Sequence, residues 1–425
     1  MSNHVENHES LLSLPDHPCP VLRSESKLSP DDHRALGQRM DLFHFQDEAP
    51  GMVFWHPRGF AAYRRLEDYL RARLRGEGYV EVRTPQLLDR SIWEASGHWA
   101  NFSEHMIKFE GGDRVAALKP VSCPGHVQVF NHGLRSFREL PLRLAELGAC
   151  HRDEQSGALH GLMRLRAFVQ DDAHIFCSED QIDEEVARFC RLLWSFYGAF
   201  GFERVSVALA LRPPVRAGSD EIWDHAERAL GAAARAAGIA YEEHPGDGAF
   251  YGPKLEFVLH DARGRAWQCG TIQLDLVIPD RMGASYVDRD GRRARPVMLH
   301  RAICGSLERF FGIVLEHSRG ALPAWLAPEA VAVCAVSEEV ADYAREVVAA
   351  LRRDGADVHV PKEGTLSRKL VDARELGVPF VFVLGRRERE ARAVALRRPD
   401  GSSELLPLAE ALARVRAALV GPGVG

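Results

Sequence analysis

The sequence predicts an α+β body with an antiparallel sheet flanked by helices, followed by a small α/β domain. Three observations lead there. Through the first three quarters of the chain, strand-like segments are joined by hairpins and helices without regular alternation. Past Pro323 the order becomes strand, helix, strand, helix, strand, which is the logic of a mostly parallel sheet. A length of 425 residues, 46% of them hydrophobic, is enough for two or three separate cores.

Residues 1–30 are polar, rich in Ser, Pro, His and Asp, and read as a flexible tail. The body spans 31–322. Within it YRRLEDYLRARLRGEG is an amphipathic helix ended by Gly76 and Gly78. YVEVRTPQLL is a strand that stops at Pro85. LAELGACHRDE and LRAFVQ are strands either side of the charged loop QSGALHGLMR. EEVARFCRLLWSFYGAFG and DEIWDHAERALGAAARAAG are helices, with strand FERVSVALAL between them. LEFVLHD and AWQCGTIQLDLVI face each other as a hairpin across ARGR. HRAICGSLERFFGIVLEHSRG reads as one long helix. Residues 323–329 form a linker, and 330–425 the α/β domain: strand AVAVCAV, helix EEVADYAREVVAALRRDG, strand DVHV, helix LSRKLVDARELG, strand PFVFVLG and a last helix LPLAEALARVRAAL.

A net charge of −6 excludes a generally basic nucleic-acid coat, so an RNA partner must be met by local Arg and Lys patches. The eight cysteines are scattered, as in reduced cytosolic chains. No apolar run is long enough to span a membrane, and the polar, acidic N-terminus lacks the pattern of a secretory signal or organelle presequence. The expected compartment is the cytoplasm.

Four constellations carry chemistry. Cys123, His174 and His300, in PVSCPGH, FVQDDAH and PVMLHRAICGSLERF, make a three-ligand set suited to zinc with one position free. A lone buried Cys or His is more often structural, and no local zinc signature such as CxxC or HExxH is present. In HRDE, Arg152 and Glu154 sit at a turn opposite Arg164 and Arg166, an arrangement suited to a nucleoside triphosphate, with Phe168 offering its ring to the base. In GSLERF a small-residue segment opens a helix carrying Arg309, which needs an anionic partner. In QDDAH, alternation puts Gln170, Asp172 and His174 on one strand face, where Asp172 can accept from a substrate hydroxyl; Asp171 points the other way.

With SGHW, CPGH, HRDE, SGALHGLMR, QDDAHIFC, GSDE, GAFYGPK, QCGTIQLD and HRAICGSLERF in that order, the chain resembles threonyl-tRNA synthetases, class II aminoacyl-tRNA synthetases, from Asp31 through the final helix. The resemblance implies one Zn2+ per subunit on Cys123, His174 and His300, and Mg2+ with ATP. It implies threonine chelating the metal, with Asp172 taking its hydroxyl proton and Gln170 and Tyr251 serving its amino group. Arg152 is implied at the α-phosphate and threonine carboxylate; Glu154, Phe168 and Gln268 at adenosine; Arg164 and Arg309 at the distal phosphates; Lys254 and Gln273 in the pocket wall. His98 corresponds to a residue near the terminal ribose of tRNA. VRTPQLL, around Pro85, is similar to the family's dimer-forming segment, which implies a homodimer.

The implied activity is threonine–tRNA ligase: L-threonine, ATP and tRNA(Thr) as substrates, and no membrane partner. The short tail, with His4 and His8, implies no editing in cis. Two other readings stay open: a ligase loading a carrier protein, and a non-catalytic RNA-binding paralogue. Ala167 and Val169 replace the family's usual Gly and Thr beside Phe168. HVPKEGTLSRKL departs from the family's pattern, leaving Lys362, Arg368 and Lys369 as the RNA-facing cations of a domain expected to bind the anticodon.

Overall fold

The computed structural model describes residues 28–112, 114–362, 364–398 and 401–423. The expected tail, including His4 and His8, lies outside them except for its last three residues. The larger body is built on an eight-stranded mixed sheet. Its strands in chain order are β1 (Val80–Glu81), β2 (Leu142–His151), β3 (Ala167–Cys177), β4 (Val205–Ala210), β5 (Glu242–His244), β6 (Lys254–His260), β7 (Ala266–Asp275) and β8 (Val297–Ala302). They lie in the order β5-β4-β6-β7-β8-β3-β2-β1. The six central strands pair antiparallel, and only the two edge pairs, β4 with β5 and β2 with β1, are parallel. The expected ARGR hairpin is the β6–β7 turn, and the HRDE hairpin is the β2–β3 turn.

Helices α1 (Pro57–Gly76), α2 (Cys123–Asn131), α3 (Ile182–Gly198), α4 (Asp220–Ala236) and α5 (Leu307–His317) pack around this sheet. α1 starts on Pro57 at its first turn, where a missing N–H costs nothing. It buries Tyr63, Leu66, Leu70 and Leu74, one stripe at helical spacing. Those side chains meet Phe189 and Phe196 of α3, Phe310 and Phe311 of α5, and Leu299 of β8 in the principal core.

One element departs from the sequence reading. HRAICGSLERFFGIVLEHSRG is not a single helix. His300 to Ala302 complete β8, the chain turns through Gly305 at φ +77°, and α5 begins only at Leu307. The Ser306 side chain accepts from the Arg309 N–H and caps the helix. Ser306, directly before the fully buried Leu307, is the start signal within GSLERF. YVEVRTPQLL is likewise shorter than expected: only Val80 and Glu81 join the large sheet, while Leu87–Asp89 belongs to a separate three-stranded sheet.

The second unit carries β9 (Val331–Ala335), β10 (Val358–His359), β11 (Phe380–Leu384), β12 (Ala393–Arg397) and β13 (Ser403–Pro407), with α6 (Ala341–Arg353), α7 (Leu366–Glu375) and α8 (Leu408–Ala418). β10, β9 and β11 are parallel, as the alternation predicts. The antiparallel strands β12 and β13 were not expected. They are short and flanked by Arg and Glu, so little apolar pattern betrays them. Between the two units, residues 323–329 are packed: Leu326 and Ala327 are fully buried. Arg65 donates to the Pro328 carbonyl at 3.0 Å, and Arg58 pairs with Glu329 while donating to the Leu376 carbonyl at 3.0 Å.

No helix among the described residues is long and apolar enough to cross a membrane. The seven described cysteines are all buried and unpaired.

Candidate active site

The strand register assembles the site. Lys254 on β6, Gln273 on β7, His300 on β8 and His174 on β3 stand directly opposite one another across four adjacent strands. A row of this kind needs no loop to position it, and rigid strands hold side chains more tightly than loops do. On β3, Asp172 and Gln170 follow His174 on the same face at two-residue steps, as alternation predicts. Cys123 reaches the row from the first turn of α2.

Ligating atoms of Cys123, His174 and His300 all lie within 4.8 Å of one another, and all three residues are buried. His300 Nε2 lies 2.8 Å from Asp275 Oδ2. A carboxylate that already accepts from Val277 N and Ile278 N can only accept, so Nε2 carries the proton and Nδ1 is bare. That bare nitrogen is 3.0 Å from His174 Nε2. Burial drives the His174 imidazole well below its ordinary range, so it is neutral. Burial, with Asp172 and Asp275 nearby, pushes the Cys123 thiol up; only a bound cation would hold it as thiolate. One sulfur and two imidazoles converging in a buried recess are a fitting donor set for zinc.

Asp172 is buried beside them, its Oδ2 accepting from Ser122 N at 3.2 Å and its Oδ1 3.8 Å from His174 Nε2. Burial raises its carboxyl, opposed by the imidazoles of His126 and His300 and by the Ser122 N–H. Tyr251 donates to Gln273 Oε1 at 2.6 Å, and its ring stacks on His300 at 4.6 Å. Gln170 Oε1 is buried without a partner among the described residues, an unspent acceptor facing the recess.

Gly252 makes Tyr251's placement possible. A Cβ there would lie 2.0 Å from the Leu274 carbonyl oxygen, a backbone atom that cannot yield without moving β7. Gly252→Ala should cost about 1–3 kcal/mol by overpacking and raise KM for the amino acid, read by denaturant unfolding and steady-state kinetics.

The recess opens into a larger cleft lined by Arg152, Glu154, Arg164, Phe168, Lys254, Gln268 and Arg309, with Gln170 and Gln273 shared between the two. The Arg152 guanidinium lies 5.1 Å from the centre of the Phe168 ring and donates to the Pro120 carbonyl at 3.3 Å. Arg164 pairs with Glu154 at 2.9 Å. Arg309 donates to the Met163 carbonyl at 3.0 Å. Lys254 and Gln268 both reach Glu256, at 2.6 Å each. Thus fourteen of the fifteen residues to which the resemblance assigns a site role line these two connected recesses. His98 does not. It is buried behind Cys123, its Nε2 3.5 Å from Sγ, and burial lowers its pKa to about 3.

Sequence reading passed over several contributors. Asp275 orients His300, and its signal was available: it follows Gln273 by two positions on the same strand. Glu256, two beyond Lys254, carries the same signal. His126 lies three residues beyond Cys123 in CPGH, one helical turn on, and contacts His174 at 2.8 Å. Ser122 acts through its backbone N–H, which no side-chain motif announces. Asp171, on the opposite face as expected, accepts from Ile303 N at 2.6 Å and Cys304 N at 2.9 Å, which fixes the turn before Arg309.

Residues 107–318 match the tRNA synthetase class II core domain (G, H, P, S and T), and 330–418 match the anticodon binding domain. The threonine–tRNA ligase of Cupriavidus pinatubonensis is 58% identical over 370 residues, covering 86% of this chain and 58% of the relative. That of Burkholderia mallei is 56% identical over 371 residues, covering 87% and 58%. The chain therefore spans under two thirds of the length of these relatives. Among solved structures, the RNA binding domain of threonyl-tRNA synthetase from Cryptosporidium parvum superposes with a TM-score of 0.88 at 40% identity, covering 91% of this chain and 98% of that one. A putative threonyl-tRNA synthetase from Aeropyrum pernix superposes at 0.79 with 26% identity, covering 91% and 96%.

Proposed function

We propose that this chain, which belongs to the threonyl-tRNA synthetase family of the class II aminoacyl-tRNA synthetases, activates L-threonine with ATP and transfers it to the 3′ end of tRNA(Thr). The observation that carries the reading is Asp172: a buried acceptor beside a Cys–His–His set, in a recess that opens directly onto the arginine cleft. Its test is threonine-dependent pyrophosphate exchange followed by charging of total tRNA. Exchange and charging together support it; exchange without charging points to another acceptor, and neither activity in metal-replete protein overturns it.

In this reading Cys123, His174 and His300 hold Zn2+, which when bound supplies a Lewis-acid contact for the amino and hydroxyl groups of threonine. Asp172 accepts the side-chain hydroxyl, and Gln170 and Tyr251 position the amino group. Gln273 lies where the two recesses join, and Lys254 lines the larger one. Arg152 aligns the threonine carboxylate with the α-phosphate of ATP, while Glu154, Phe168 and Gln268 hold the adenosine. The carboxylate attacks phosphorus in line, the adenylate forms, and pyrophosphate leaves against Arg164 and Arg309; Mg2+ carried in with ATP would supply further charge neutralisation. A ribose hydroxyl of the tRNA then attacks the adenylate carbonyl, the acyl–phosphate bond breaks and AMP leaves, the hydroxyl proton being lost to solvent. His98, the residue implied near the terminal ribose, is neutral near pH 7 and lies 3.5 Å from Cys123 Sγ. The homodimer, with residues around Pro85 at its interface, anticodon reading by 330–425, and a cytoplasmic location belong to the same proposal.

A further inference from the structure

Behind the Cys–His–His set lies a buried chain of polar groups that the mechanism above does not use. Glu146 on β2 accepts from Thr84 N at 2.9 Å, Thr84 Oγ1 at 2.8 Å and Lys119 Nζ at 2.8 Å. Burial works to raise its pKa, but hydrogen bonds from His126, Lys119 and the Thr84 N–H outweigh it and bring the pKa down to about 2. Its Oε2 lies 3.1 Å from His126 Nε2, and His126 Nδ1 lies 2.8 Å from His174 Nδ1. Glu146, His126, Lys119 and His174 are each at most 3% exposed, so water does not compete.

With one proton on each imidazole, the chain of contacts admits two proton arrangements. In the first, His126 Nε2–H donates to Glu146, His126 Nδ1 is bare, His174 Nδ1–H donates to it, and His174 Nε2 presents a lone pair toward His300 Nδ1. In the second, the protons of His126 and His174 each move to the other nitrogen, while His300 keeps its own on Nε2. His174 Nε2–H then donates to His300 Nδ1, blocking the ligand atom, and the bare His126 Nε2 faces an ionised carboxylate at 3.1 Å. Glu146 forbids the second arrangement, because a carboxylate cannot donate and repels a lone pair.

We propose that Glu146 and His126 are positioning residues that fix His174 in the tautomer able to bind a metal through Nε2. The inference rests on the zinc-dependent reading of the site given above. Partners of this kind beyond the ligands themselves typically carry 10–100-fold in metal affinity. The anchoring also makes the role specific. In Glu146→Gln, Thr84 N–H and Lys119 Nζ, both obligate donors, hold the amide oxygen at the Oε1 position. The amide NH2 then faces His126 Nε2 and donates to it, which imposes the metal-refusing arrangement without changing shape.

The experiment measures Zn2+ affinity of the full chain by competition with a chromophoric chelator, independently of any activity. E146Q is expected to bind Zn2+ about 10–100-fold more weakly than wild type, close to the behaviour of a Cys123→Ser control. His126→Asn keeps an amide oxygen near the place of Nδ1 without needing Glu146, so E146Q/H126N should recover affinity relative to E146Q. Should E146Q fail to fold, His126→Leu, which removes the acceptor, gives the same loss. Unfolding of the chelated variants separates a merely structural role: altered stability with Zn2+ affinity within twofold of wild type overturns the inference. Zn2+ binding by wild type with no loss in either variant sinks this inference alone, whereas no Zn2+ binding by wild type sinks the zinc reading with it.

Discussion

Asp172→Ala should collapse the preference for threonine over valine. The two amino acids are nearly isosteric, so shape cannot separate them; only the hydroxyl can. Asp172 is 5% exposed, with one oxygen spent on Ser122 N and the other directed at the recess. Threonine gives that oxygen a donor. Valine leaves it desolvated and unpaired, which in a site built around a substrate hydroxyl is worth roughly 10⁴–10⁵ in kcat/KM. Without the carboxylate this penalty goes, and the threonine-to-valine ratio should fall by about 10²-fold or more. Asn, which retains an acceptor oxygen, should fall in between. The measurement is pyrophosphate exchange with each amino acid, and an unchanged ratio in the alanine variant would remove Asp172 from selection. Serine provides the internal check. It keeps the hydroxyl and loses a methyl, so wild type should disfavour it only about 10–200-fold, and Asp172→Ala should penalise it about as much as threonine.

What the sequence disclosed and what it concealed follow from how each feature is encoded. Side chains on strands are legible, because a two-residue period assigns faces before any coordinates exist; Gln170, Asp172 and His174 fell on one face for that reason. Bringing β3, β8, β7 and β6 side by side depends on long-range pairing, which is why His174, His300, Gln273 and Lys254 could be named only as candidates and not as a row. Two features hid. The turn through Gly305 was masked by apolar residues on both sides, which gave β8 and α5 the appearance of one helix. The β12–β13 hairpin sits at an edge, where charged residues are tolerated and the apolar pattern is thin. Backbone donors such as Ser122 N, and supporting groups such as Glu146, leave no mark in a motif, since any residue has an N–H and a lone Glu on a strand is ordinary.

Arg309→Ala should strike adenylate formation and spare what comes after it. The side chain projects from the first turn of α5, whose start is set by the Ser306 cap, and is anchored by the Met163 carbonyl at 3.0 Å. Its charge is thereby fixed in the cleft before any phosphate arrives, which is what lets a cation stabilise developing charge without reorganising. Removing one such pre-placed donor typically costs about 10²–10³ in rate. The loss should appear in the kcat of threonine-dependent pyrophosphate exchange, with KM for threonine changed little, because the amino-acid recess lies on the other side of Gln170 and Gln273. Lysine should not restore it: an ammonium cannot hold the Met163 carbonyl and still present a planar fork to a phosphate. Transfer of threonine from preformed adenylate to tRNA, followed in a single turnover, should proceed at the wild-type rate, since pyrophosphate has by then departed. A variant slow in transfer as well would mean that Arg309 shapes the cleft as a whole and does not act on the leaving group.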